Sequence, residues 1–213
     1  MQRAVIADDH HLYRRGTRDV IQEEFAPEVI AEANTGTQLI NLVKACSWDL
    51  CIMDVSMPVK SGPDLLEEVV QIRPSMPILV LSMHPEEHYA VRMIRSGARG
   101  YLNKSTTDSV LLTEAIRSVL AGHKFITAAV AECLAETVYA GSHPSSVLHQ
   151  ILSNRELQIF QMLAAGTPIK EIAGSLFISA ATVSTYRTRV LTKLGLDSNA
   201  ELVRYALEHS LIA

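Results

Sequence analysis

Leu50-Cys51-Ile52-Met53-Asp54 is a run of four apolar residues that ends on an acid. Four residues are too few for a core helix, and the run has no polar alternation. It therefore predicts a strand buried on both faces, as in a parallel sheet, with Asp54 at its carboxyl end. The same grammar recurs on either side. Ala4–Ala7 is apolar and ends at Asp8-Asp9, and a helical stretch follows over His11–Phe25, with Leu12, Val20, Ile21 and Phe25 expected inside. Val29–Ala33 reads as a strand and Thr37–Ala45 as a helix. Beyond Asp54, Asp64–Ile72 is helical, with Leu65, Leu66, Val69 and Ile72 on one face. Ile78–Leu81 is a strand running into Ser82, and Glu86–Arg95 a helix. Gly100–Leu102 is a short strand just before Lys104, and Ser109–Leu120 a helix.

Five strand-then-helix repeats imply a parallel sheet covered on both faces. With right-handed crossovers this is an α/β, doubly wound, five-stranded (flavodoxin-like) fold. Ligand sites in such sheets lie at the carboxyl ends of the strands. Asp8, Asp9, Asp54, Ser82 and Lys104 are all expected there, in one crevice. Three carboxylates at one point need a cation, and hard oxygen ligands suit Mg²⁺. A carboxylate can act as a nucleophile and form an aspartyl phosphate. Lys104 would meet phosphoryl oxygens as a point charge, and Ser82 could hydrogen-bond one of them. Any one of these aspartates could equally cap a helix or open a turn. A convergent set drawn from distant parts of the chain is harder to explain that way.

The pattern changes after about residue 121. Phe125–Tyr139 is apolar and helix-compatible, and Gly141-Ser142-His143-Pro144-Ser145-Ser146 is turn-rich, the best linker candidate. Only helices are expected beyond it: Asn154–Ala165, Ile169–Leu176, Ala180–Leu194 and Asn199–His209. The domains expected are therefore 1–121, a linker with a helix over 122–147, and an all-α domain over 148–213. Within the last, Pro168 through Leu194 has the shape of helix, tight turn, helix. Thr167-Pro168 opens the first of these helices, Phe177-Ile178 forms the turn, and Ser179 caps the second. On that second helix Val183, Val190 and Leu194 should point inward. Ser184, Thr185, Thr188 and Arg189 should point outward, with Arg187 near the edge. Arg187, Arg189 and Lys193, with no acid among them, suit a major groove, where Arg reads guanine and hydroxyls reach phosphates or bases. Three basic residues in fifteen also fit a plain solvated face.

Composition agrees. The 213 residues are 48% hydrophobic and 20% charged, ordinary for a globular chain that can bury cores without disulfides or structural metal. Cys46, Cys51 and Cys133 form no CxxC pair, which argues against a disulfide framework or a zinc site and fits a reducing cytoplasm. No signal-peptide pattern and no apolar stretch of membrane-spanning length is seen. The net charge of −4 divides into an acidic front, with 13 Lys+Arg against 18 Asp+Glu over residues 1–144, and a mildly basic back, with 6 against 5 over 145–213.

Asp8-Asp9, Asp54-Val55-Ser56-Met57-Pro58, Gly62, Ser82 and Gly100-Tyr101-Leu102-Asn103-Lys104 together resemble the response-regulator receiver domain. The resemblance implies that Asp54 accepts phosphate from a sensor histidine kinase. It implies that Asp8, Asp9, Asp54 and the backbone carbonyl of Ser56 hold Mg²⁺. It makes Ser82 and Tyr101 the switch pair. Val59-Lys60 departs from the glycine-containing pairs common beside that site. Leu152-Ser153-Asn154-Arg155-Glu156, Ile169-Lys170-Glu171-Ile172-Ala173, Ser179-Ala180-Ala181-Thr182-Val183 and Lys193-Leu194-Gly195-Leu196 resemble the LuxR-type helix-turn-helix domain. The combination resembles the NarL/FixJ family, and the run Thr182-Val183-Ser184-Thr185-Tyr186 resembles its BvgA/EvgA branch. Double-stranded DNA is then an implied partner, with contacts from Lys170, Ser179, Thr182, Ser184, Thr185, Tyr186, Arg187, Thr188, Arg189 and Lys193. A homodimer, at least when phosphorylated, is implied too. Ser184 and Tyr186 stand where many relatives carry Lys and His, so no binding sequence carries over. Tyr186 could touch a phosphate or simply pack.

Two rival classes remain at this stage. A Mg²⁺-dependent aspartyl-phosphate hydrolase usually carries a second acid two residues after the nucleophile, where this chain has Ser56. A phosphorylation-independent DNA-binding protein would leave the acidic set without a use. The expectation is therefore a transcriptional regulator rather than an enzyme.

Overall fold

The computed structural model describes residues 1–57, 62–83, 86–132, 135, 149, 152–209 and 211. The expected linker over Gly141–Ser146, the Val59-Lys60 pair, Pro58, Cys133 and the end of the stretch expected as helix up to Tyr139 lie outside them. The chain divides into two compact units, residues 1–138 and 139–213.

The first unit is a five-stranded, all-parallel sheet in the order β2-β1-β3-β4-β5. Its strands are β1 (Arg3–Ala7), β2 (Val29–Ala33), β3 (Leu50–Met53), β4 (Ile78–Ser82) and β5 (Gly100–Asn103), and its helices are α1 (His11–Phe25), α2 (Gly36–Ala45), α3 (Gly62–Ile72), α4 (Glu86–Arg95) and α5 (Ser109–Leu120). Every residue of β3 and β4 is buried, as a sheet covered on both faces requires. Ile21, Leu50, Ile52, Leu79, Leu102, Leu112 and Ile116 form one part of the core. Cys51, between Leu50 and Ile52 and so on the opposite face of β3, is fully buried, and burial pushes its thiol up to about 12. The strand order reverses between β1 and β3, and such a switch point opens a crevice beyond the strand ends.

Two expectations change. Leu12 is 82% exposed. It lies in the first turn of α1, at the rim of the strand ends, and the buried stripe begins a turn later with Thr17 and Ile21. Phe125 opens no helix. It forms an isolated parallel bridge to Gly100, and its amide donates to the carbonyl of Arg99 at 2.8 Å. A Cβ on Gly100 would stand 2.9 Å from Leu79 and 3.1 Å from Phe125, so a side chain there would force both neighbours to shift. Helix follows over 128–132. Thr127 Oγ1 accepts from the Val130 amide and donates a short hydrogen bond to Glu86 at the start of α4. Val130 is buried.

The second unit contains α6 (Asn154–Ala164), α7 (Ile169–Ser175), α8 (Ala180–Leu194) and α9 (Asn199–Glu208), with no strand among the described residues. Each boundary falls within one residue of its expected place, the usual uncertainty of a fraying end. Ser153, Ser179 and Ser198 each cap the helix that follows. The tight turn between α7 and α8 runs through Phe177 at φ 54°, a left-handed conformation. α8 stops at Gly195, also left-handed at φ 65°.

Candidate metal centre and nucleic-acid interface

The sheet's own hydrogen bonds place the crevice. The Asp8 amide donates to Ala33 at 3.0 Å, the Asp54 amide to Ala7 at 2.8 Å and the Lys104 amide to Ser82 at 2.8 Å. Each ladder thus continues one residue past its strand and fixes the first side chain beyond it. Asp8, Asp54 and Lys104 are all buried. The Lys104 ammonium donates to Asp54 Oδ2 at 2.8 Å and lies 2.7 Å from Asp8 Oδ2. Its other side faces the ring of Tyr13 at 5.0 Å. A buried ammonium between two carboxylates offsets much of the desolvation penalty of all three groups.

Burial pushes the Asp8 carboxyl above the usual carboxylate range. The Lys104 ammonium and the His10 amide, which donates to Asp8 Oδ1 at 2.9 Å, oppose that shift without cancelling it. Asp54 Oδ1 accepts from the Ser56 amide at 3.2 Å. Asp9 Oδ1 is buried with no hydrogen-bond donor. His10 Nδ1 lies 3.0 Å away but without hydrogen-bond alignment. Ligand atoms of Asp8, Asp9, His10 and Asp54 all lie within 4.8 Å of one another. An orphaned carboxylate oxygen beside two further carboxylates fits a hard divalent cation.

Beside the crevice Ser82 is fully buried, and Tyr101 is turned inward at 1% exposure. The two side chains hydrogen-bond each other. Burial raises the Tyr101 phenol well above its ordinary value, and the bond to Ser82 pulls the other way. Tyr89 of α4 is buried nearby and is raised for the same reason.

On α8, Val183, Val190 and Leu194 are buried, while Ser184, Thr185, Thr188 and Arg189 are exposed and Arg187 is half-buried. Ser179 Oγ caps the Thr182 amide at 3.0 Å, and Lys170 is exposed on α7. The cations of α8 are partly engaged. Arg187 Nε donates to Asn199 Oδ1 at 2.6 Å, Lys193 Nζ donates to Glu156 Oε2 at 2.6 Å, and the Arg189 guanidinium lies 5.7 Å from the ring of Tyr186. Burial alone would raise Glu156. Hydrogen bonds from Lys193 and from the Ser153 amide and hydroxyl outweigh burial and hold it below the carboxylate range.

Residues 4–137 match the response regulator receiver domain, and residues 150–206 match the bacterial regulatory proteins of the luxR family. The chain is a NarL-family response regulator. The oxygen regulatory protein NreC of Staphylococcus aureus is 37% identical over 213 residues, covering 98% of each chain. Among solved structures, RcsB of Salmonella enterica serovar Typhimurium, bound to a promoter in the presence of the phosphomimetic BeF3−, is 26% identical with a TM-score of 0.60, covering 96% of this chain and 97% of that one. Another RcsB structure, from Salmonella typhimurium, is 25% identical with a TM-score of 0.71 over 98% of each chain. This response regulator is accordingly a two-component transcription factor with a DNA-binding domain. Among the described residues no helix is long and apolar enough to cross a membrane.

Reading the sequence alone overlooked four residues at these places. His10 and Tyr13 border the crevice, and only their nearness to Asp8-Asp9 could have pointed to them. Glu156 had a signal, because Ser153 and Glu156 stand at capping-box spacing, and the structure contains that box. Asn199, which holds Arg187, had none.

Proposed function

We propose that Asp54 of this response regulator accepts a phosphoryl group from a sensor histidine kinase, and that acylation biases the protein toward a homodimer that binds paired DNA half-sites. The observation that carries this reading is the convergence of three aspartates and Lys104 at the ends of β1, β3 and β5, with Asp54 buried at its centre. An Asp54 carboxylate oxygen attacks phosphorus. The phosphorus–nitrogen bond of the phosphohistidine breaks as the new oxygen–phosphorus bond forms, and the imidazole leaves and takes up a proton. Asp8, Asp9, Asp54 and the backbone carbonyl of Ser56 would hold Mg²⁺, which neutralises phosphoryl charge. Lys104 exchanges a carboxylate for a phosphoryl oxygen. The Ser82 hydroxyl, hydrogen-bonded to the Tyr101 phenol at the end of β4, would turn to the new anion and give up that bond. Phosphorylation can only shift an equilibrium that already exists. The hydrogen bond from Thr127 to Glu86 ties α4 to the chain leaving the sheet, so a shift of Tyr101 against Tyr89 and α4 can be passed to that chain.

In the second unit α8 enters the major groove. Arg189, Thr182, Ser184, Thr185, Tyr186 and Thr188 face the duplex, Ser179 and Lys170 lie at its backbone, and Arg187 and Lys193 stand at the edge. Radiolabelled acetyl phosphate tests the chemistry. Wild type takes up label in Mg²⁺ and loses it in excess chelator, Asp54→Asn takes up none, and label on Asp54→Asn equal to wild type would reject the assignment. Operator affinity with and without beryllofluoride then tests the coupling.

A further inference from the structure

Ala181, Thr185 and Thr188 follow one another at helical spacing along the exposed side of α8. The hydroxyls on this side are turned inward. Ser184 Oγ donates to the Ala180 carbonyl at 3.0 Å, Thr185 Oγ1 to that of Ala181 at 3.0 Å and Thr188 Oγ1 to that of Ser184 at 3.1 Å. A hydroxyl has one proton, and here it is committed to the helix's own backbone. Outward, each oxygen offers lone pairs only, and each threonine presents its γ-methyl. The usual guanine reader is an Arg or Lys aimed at O6 and N7. Here Arg187 is drawn to Asn199 and Lys193 to Glu156, while Arg189 lies by Tyr186.

We infer that the outward face of α8 selects A·T pairs, packing the methyls of Ala181, Thr185 and Thr188 on thymine methyls in place of arginine–guanine readout. A·T pairs are the only ones with a thymine methyl in the major groove, and the adenine amino donor lies beyond the thymine O4 from it. The hydroxyl oxygens of Ser184, Thr185 and Thr188 can accept from that amino group as from cytosine's, so the methyl contacts carry the selection. This inference rests on the reading that α8 enters the groove.

The test uses the full chain in Mg²⁺ and beryllofluoride and the tightest duplex selected from a random pool. Each thymine is replaced in turn by deoxyuridine, which removes only the methyl. Affinity falls about fourfold at two or more positions per half-site, the value of one buried methyl. Thr185→Ser with Thr188→Ser keeps both hydroxyls and loses both methyls, and its uracil penalty shrinks to the position that Ala181 covers. Equal binding of both duplexes by wild type, with a larger loss on 7-deazaguanine replacement, overturns the inference. A uracil penalty that persists undiminished in the double variant also overturns it. Arg189→Glu separates the two levels. It abolishes binding to every duplex if α8 lies in the groove, and unchanged affinity removes the groove reading itself, and the base preference with it.

Discussion

Lys104, Asp8 and Asp54 come from three strands and are 4%, 3% and 2% exposed, whereas Ser184, Thr185, Thr188 and Arg189 come from one helix and are all exposed. In the crevice each of these three groups is held by a group of opposite charge and by a ladder hydrogen bond that exists only once the sheet has formed. On α8 the hydroxyls are held by the helix's own carbonyls, so the face is complete as soon as the helix is. One site is a product of tertiary structure, and the other belongs to a single element. A change in the crevice should therefore be felt as stability as well as chemistry. A change on the outward face of α8 should be felt in binding alone.

The strongest challenge to that contrast is Lys104→Met. It leaves two buried carboxylates without their cation, and removing one partner of a buried pair costs about 3–5 kcal/mol. Thermal unfolding should show that loss in chelator and a partial recovery in millimolar Mg²⁺, because a divalent cation can stand in for the ammonium. Absence of any recovery would separate the metal site from Lys104.

Glu156→Ala probes the second unit from its buried side. It removes the capping box and the Lys193 pair together, at about 1–3 kcal/mol. The folded protein holds Glu156 below its ordinary pKa. The ionised group therefore stabilises the unit above the carboxylate range, and that contribution is lost as pH falls through it toward the lowered value. Urea titrations across mildly acidic pH should show this slope in wild type and a flatter one in the variant.

Gly100→Ala sharpens the comparison within the first unit. Its Cβ meets Leu79 and Phe125 at 2.9 and 3.1 Å, and overpacking of that kind costs about 1–3 kcal/mol. Hydrogen exchange should report early opening of the segment around Phe125 while β1 and β3 stay protected. The smallest effect is expected for Asn199→Ala. It frees the half-buried Arg187 and should change stability by no more than about 0.5 kcal/mol, with any consequence confined to DNA affinity measured at fixed salt.

The sheet was legible because buried parallel strands are bare apolar runs and their acids fall directly after them. Asp8, Asp54, Ser82 and Lys104 could be placed by counting past each run. Leu12 could not, since periodicity says which face a residue shares but not where the sheet beneath it ends. Phe125 looked helical because its neighbours are apolar, and its pairing with Gly100 depends on a missing side chain far away in sequence. Lys193 was read as a cation for DNA, and its bond to Glu156, 37 residues distant, is a contact that spacing along one helix cannot reveal. The inward hydroxyls of α8 are rotamer choices, which a sequence does not display.

The bridge between Phe125 and Gly100 also governs how the receiver half can be cut from the rest. An outermost strand with bare amides and carbonyls is a template for pairing with another molecule. Here one residue of the departing chain occupies part of that border, and Val130, five residues further on, is buried. A fragment ending at Ala121 would leave that stretch of β5 uncovered and should self-associate at concentrations where one carried through Val130 stays monodisperse, which sedimentation can compare directly.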